Sequence, residues 1–190
     1  MKTLMAFFMT LLAVPASFAQ GRTKADYGLP KLDEVREVTL MPSYSCRSVG
    51  EFGKGYQQTA LFVSAFAKQR NNPDLLFNGA CKSDDYFQAA TAGRDISLIA
   101  DLGGNMPLEK VQWNDAFFLG RTGESDPYAS FRSNAKVLNG HTYAVVLAKQ
   151  EFRGLFVFTV TDYSRNMRVT LRYAVKNYEV FPEHPEVAAR

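Results

Sequence analysis

Between Val137 and Asn177 the chain passes through short apolar runs separated by turn-forming residues, and this rhythm restricts the fold more than any other feature. Residues 137–143 set Asn139-Gly140 between apolar runs, which predicts a tight hairpin because both turn residues tolerate positive φ. Residues 143–149, 155–161 and 167–177 read as three further strands, joined through 150–154 and 162–166. In the last of them Val169, Leu171, Tyr173 and Val175 alternate with Arg168, Thr170, Arg172, Ala174 and Lys176, giving one dry face and one wet face. Leu155-Phe156-Val157-Phe158 does not alternate, as a central strand covered on both sides should not.

The same texture extends upstream. Residues 35–41 alternate weakly, and 75–81, 86–91, 96–102 and 111–119 are apolar runs between polar or glycine-rich breaks. Residues 59–67 are predicted as a strand: Leu61, Val63 and Ala65 satisfy period two, and Phe62, Val63 and Phe66 favour a pleat. The competing helical reading places Ala60, Val63 and Ala67 on one face. About eight to ten strands without any βαβ rhythm point to an all-β fold, an antiparallel β-sandwich, with a partly closed β-barrel as the alternative. One domain is expected over 32–181, between an extended N-terminal arm at 20–31 and a loose tail at 182–190.

Residues 1–19 read as a signal peptide. Lys2 supplies the charge, 4–14 the apolar stretch, and Ser17-Phe18-Ala19 the small residues at a cleavage point. The stretch falls well short of the ~20 residues that cross a hydrocarbon core, so cleavage before Gln20 is expected rather than anchorage. No later segment is apolar enough to span a membrane. The expected address is periplasmic or secreted. The leader's one charged residue is Lys2, so a net charge of +3 becomes +2 in the mature chain, too small a surplus to imply nucleic acid as a partner. The mature part has no Asn-x-Ser/Thr acceptor, which suits a bacterial envelope protein better than a eukaryotic glycoprotein.

Cys46 and Cys81 are the two cysteines, and in an oxidising compartment one intramolecular bridge is the simplest pairing. It would close a loop of about 35 residues and contribute about 3–4 kcal/mol in the chain-entropy account. Two separate thiols, or a bridge to a partner chain, are the alternatives. Two cysteines with two histidines do not make a conventional zinc site, and no cofactor motif is present.

Catalytic signals are weak. His141 follows the Asn-Gly turn and His184 lies in the tail, both plain places for a polar side chain. Asp84, Asp85, Asp95, Asp101 and Asp115 could supply a carboxylate pair, though loop-edge acids more often shape turns. Residues 101–105 lack the alternating ligands and closing Glu of a calcium loop. Two groups remain as a candidate binding surface. Trp113, Phe117 and Phe118 would stack a sugar ring or a partner if exposed, core packing being the plainer reading. Arg168, Arg172 and Lys176 share a strand face about 13 Å apart and would hold a polyanion, cross-strand pairing with acids being the plainer reading. The function expected from these residues is an exported, non-catalytic sandwich that binds a protein or glycan or builds the cell envelope. A carboxylate-dependent hydrolase acting on carbohydrate, or a protease inhibitor presenting residues 121–128, are the alternatives.

Overall fold

The computed structural model describes residues 31–43, 56–69, 71–79, 83–89, 95–112, 131–150 and 152–180. The leader, most of the arm, the tail, Cys46, Cys81, Asp115, Trp113, Phe117, Phe118, His184 and the 121–128 loop lie outside them. In chain order the elements are β1 (Arg36–Leu40), α1 (Tyr56–Thr59), β2 (Ala60–Leu61), α2 (Ala65–Gln69), β3 (Leu75–Asn78), β4 (Tyr86–Ala89), β5 (Ile96–Gly103), a 3-10 turn (Leu108–Lys110), β6 (Asn134–Lys136), β7 (Thr142–Ala148), β8 (Phe152–Ser164) and β9 (Arg168–Val180). They form a five-stranded antiparallel sheet, ordered β1-β9-β8-β7-β5, and a four-stranded one, ordered β2-β3-β4-β6. Neither closes on itself, so the sandwich reading holds and the barrel does not.

Period two builds the interface between the sheets. Leu75, Phe77, Phe87 and Ala89 from the small sheet meet Tyr143, Val145, Leu147, Phe156, Phe158, Leu171 and Tyr173 from the large one in a single apolar cluster. Its centre is aromatic: the Phe87 ring stands edge-on to Phe158 and Tyr143 at 4.9 and 5.3 Å, and those two stack at 5.0 Å. Tyr143 keeps its polar end satisfied, donating to Lys136 O and accepting from Leu138 N–H. Burial, then the nearby Asp101 carboxylate, pushes its phenol well above the ordinary range.

Two expectations are corrected. Residues 59–67 form a strand only over Ala60–Leu61, and the chain then turns into α2. Ser64 starts that helix by accepting Ala67 N–H on its Oγ, an N-cap, while Val63 N–H goes to the Asp74 carboxylate instead of a ladder. The Asn139-Gly140 turn joins no hairpin. β6 belongs to the small sheet and β7 to the large one, so the turn carries the chain between sheets. Only Gly140 has positive φ, at 76°, and His141 N–H bonds Leu138 O, the type II pattern that needs glycine at its third position. A type I′ hairpin turn would have needed Asn139 at positive φ as well.

Buried acids tie the sheets at both ends. Asp74, ahead of β3, meets Lys149, after β7, with 2.5 Å between Oδ1 and Nζ and both side chains almost fully enclosed. The ammonium also donates to Asn72 O and Pro73 O, and lies 5.4 Å from the Phe152 ring centre. Burial pushes the Asp74 carboxyl up and the ammonium pulls it back, the signature of a pair whose desolvation is costly unless both partners stay. At the other end Asp85 accepts Asn166 N–H, which fixes the tip of the β8–β9 hairpin, and Arg165 donates to Ser83 O. Tyr163 sits beside Asp85, and partial burial, with a hydrogen bond to that carboxylate, pushes its phenol up to about 12.

Lys149→Met should therefore strand Asp74 and cost about 3–5 kcal/mol by urea unfolding. Ser97, whose buried hydroxyl has no partner among the described residues, should tolerate alanine with no loss. A raised tyrosine stabilises the fold below the unfolded value near 10 and loses that stabilisation as pH rises through the folded one. Unfolding free energy should decline between about pH 10 and about 12, and less steeply in Tyr163→Phe.

Candidate functional site

β5 ends in a bulge that shapes the outer face of the large sheet. Asp101 pairs with Tyr143 and Gly103 with Thr142, leaving Leu102 as the extra residue. Gly103 has φ of 88°, a left-handed conformation that favours glycine, and its N–H donates to Asp101 Oδ1 at 2.8 Å. The chain is re-aimed there and crosses the outer face of the large sheet. Leu108 and Val111 then cover Ala144, Val146, Leu155, Val157 and Ala174. This is why Ala174, on the strand face expected to be wet, is fully buried.

Where that cover stops, one polar row crosses the sheet. Gly103, Thr142, Thr159, Arg172 and Glu37 are register partners in succession across β5, β7, β8, β9 and β1. Between this row and the crossing segment lies a cleft of about 320 Å³, lined among others by Gly104, Met106, Glu109, Thr159, Thr161 and Arg172. Its hydroxyl protons are already assigned. Thr142 Oγ1 donates to Met106 O at 2.6 Å, so in the 2.8 Å contact between Thr142 and Thr159 it is Thr159 that donates. Thr161 donates to Thr170 O at 3.3 Å. Thr159 and Thr161 are left offering lone pairs to the cleft, beside one guanidinium.

The three basic residues of β9 have different surroundings. Arg168 bonds Asp162 at 3.1 Å, and Lys176 bonds Asp33 at 2.8 Å with its stem enclosed. Arg172 has no acidic partner within bonding distance among the described residues, although Glu37 stands across the ladder. A wider cleft of about 400 Å³ on the other side of Leu108 contains Lys176, whose charge Asp33 already meets. The aromatic group Trp113, Phe117 and Phe118 and the cysteines lie outside the described residues.

Among the described residues the candidate carboxylates do not converge. Asp84 pairs with Lys136, whose hydrogen bond holds its carboxyl below the usual range. Asp85 holds the hairpin tip, and Asp95 accepts Asn72 Nδ2 and Gln150 N–H. Asp101 instead meets His141, with Nδ1 at 3.0 and 3.1 Å from its two oxygens, an association that neither residue's local sequence announces. They stand 40 positions apart and meet because β5 and β7 are neighbours, Asp101 lying opposite Tyr143. The carboxylate orients the ring and leaves Nε2 towards Gly104, where an added Cβ would lie 3.6 Å away. Among the described residues no three His, Cys, Asp or Glu side chains gather as a metal site, and no helix is long and apolar enough to cross a membrane.

The chain matches no protein-family model, no curated protein and no solved structure among those compared with it. The cleft itself makes one structural claim that can be measured. Thr142→Val keeps the shape but leaves Met106 O and Thr159 without their partner. The expected outcome is a loss of about 1–2 kcal/mol in urea unfolding, with faster amide hydrogen exchange at Lys110, whose N–H closes the 3-10 turn on Pro107 O.

Proposed function

We propose that this chain is an exported, non-catalytic β-sandwich that binds a ligand at the cell envelope through the outer face of its large sheet. The observation that carries the reading is Arg172, an exposed guanidinium on a central strand, held in a cleft with acceptor hydroxyls and lacking a bonded acid among the described residues. The other β9 cations of this face, Arg168 and Lys176, are spent on ion pairs, and the described acids weighed for catalysis bond to separate partners. A rigid polar floor on paired strands favours recognition, since its side chains need little further ordering when a ligand arrives.

Export rests on the leader, and it gives the two cysteines a role. Ser43 N–H donates to Phe77 O, and its hydroxyl bonds the Asn78 side chain, so the segment after β1 and the end of β3 are fastened together. Cys46 and Cys81 follow these anchors by three residues each, a reach of ~10 Å per arm, ample for the separation a disulfide requires. The bridge would reinforce a tether between sheets that hydrogen bonds already make.

The native protein, isolated from its own cells, should begin near Gln20, fractionate outside the cytosol and show a mass two hydrogen atoms lighter than the dithiol. Reduction should lower unfolding free energy by about 3–4 kcal/mol. The mature chain should also be retained on envelope material that Arg172→Gln binds poorly. A cytosolic protein still carrying Met1, with both thiols open to alkylation, overturns export; equal retention of the variant overturns the assignment of the binding face.

A further inference from the structure

The proton accounting in the outer-face cleft specifies its ligand more closely than its charge does. Resting on the binding reading above, we infer that the cleft takes a sugar bearing an acidic group, the anion on Arg172 and neighbouring hydroxyls donating to Thr159 and Thr161.

A guanidinium is a donor without acceptor capacity, and its planar fork matches a carboxylate, sulfate or phosphate. A bare anion would nevertheless find poor company here. Thr159 has given its proton to Thr142, which has given its own to Met106 O, and Thr161 has given its proton to Thr170 O. Both hydroxyls therefore present lone pairs, and Glu109 on the crossing segment adds a carboxylate edge to the same lining. A ligand that carried only acceptors would face these oxygens without a hydrogen to share. One with an anion at one point and hydroxyl donors around it matches Arg172, Thr159, Thr161 and Glu109, while Asn105, also in the lining, can serve a donor or an acceptor.

Spacing agrees. Thr159 and Arg172 are direct cross-strand partners, so their Cβ atoms lie about 5 Å apart, and Thr161, the unpaired residue of a bulge between Val160 and Asp162, lines the same cleft. One pyranose ring spans the Thr159–Arg172 distance between its carboxyl substituent and its ring hydroxyls. A neutral sugar would leave the guanidinium unmatched, and a simple inorganic anion would leave the hydroxyl oxygens unmatched.

The proton chain also makes Thr159 a positioning element with a testable polarity. Serine retains both the donation to Thr142 and the lone pairs; valine retains the shape and neither.

The test is calorimetric titration of the mature chain with a uronic-acid oligosaccharide, a sulfated oligosaccharide, their neutral counterpart and inorganic sulfate. One or both acidic saccharides should bind, at least ten times more tightly than the neutral saccharide or sulfate, and the two acidic arms decide which anion is preferred. Arg172→Gln should weaken that binding about ten- to hundredfold. Thr159→Val should also weaken it, Thr159→Ser should restore it, and Arg168→Gln should leave it within about twofold. Equal urea midpoints for Arg172→Gln and the parent show that the fold is intact. No saccharide binding, equal binding of the neutral saccharide, or acidic-saccharide binding that survives Arg172→Gln overturns the inference. That last result, alongside retention on envelope material, would leave the exported-binder reading standing and move its site elsewhere; a cytosolic, leader-bearing protein that binds acidic sugars through Arg172 would do the reverse.

Discussion

The fold turns on β8, thirteen residues long and paired on both edges, whose middle is apolar on both faces. Phe156 and Phe158 point into the space between the sheets, while Leu155 and Val157 point out of it. A strand of that kind is stable only when its outer face is covered too, since leaving large apolar side chains in water forgoes about 1.5–3 kcal/mol each. The cover is the 104–112 segment, and the β5 bulge is the device that sends it there. The position of the cleft follows from this, because it opens where the small-residue row Ala100, Ala144, Val157 and Ala174 gives way to the polar row one step along the ladder.

A sandwich held only by interdigitated apolar side chains has several ways to slide. Here two buried acids on the small-sheet side, Asp74 and Asp85, each reach a different corner of the large sheet, one at the β7–β8 connection and one at the β8–β9 tip. The ion pair adds little net stability compared with an apolar pair of the same shape, but any sliding of the sheets would separate charges in a dry interior. The sheets are further stitched along one edge, where Arg132 exchanges two backbone hydrogen bonds with Ile99 of β5 and the next residue, Ser133, accepts from Ala89 of β4. These directional bonds hold the large sheet, and with it the outer row, in one place relative to the small sheet.

Alternation made the strands of the last third legible, and the dry face Val169, Leu171, Tyr173 and Val175 lies in the core. What remained hidden has two causes. Local polar chemistry beat propensity at Ser64, where a cap started a helix that β-favouring Val63 and Phe62 argued against. The Asn139-Gly140 signal correctly marked a turn, but a turn motif does not reveal which sheet receives the next strand. The site was half visible. Arg172 stood out as one of a basic trio, whereas the ion pairs that separate it from Arg168 and Lys176 involve Asp162 and Asp33, and Asp33 lies 143 positions from Lys176. The Arg168–Asp162 pair spans six positions of one hairpin, whereas the Lys176–Asp33 pair comes from long-range register, which no local window contains.

The same register gives a few ordinary residues the fixed polarity that the proposed binding surface needs. Threonine hydroxyls in water rotate freely and offer donors and acceptors alike. On this sheet Thr142 spends its proton on a backbone carbonyl, and that commitment passes through the ladder to fix the polarity of Thr159. In the proposed site specificity would then be set partly by refusal, because a group that presents the wrong end to a locked hydroxyl leaves a desolvated oxygen unmatched, a larger penalty than the gain from a correct bond. The proposed preference for an anion ringed by hydroxyls comes from this directed chain. An arginine on a loop, with mobile neighbours, would have bound any anion that reached it.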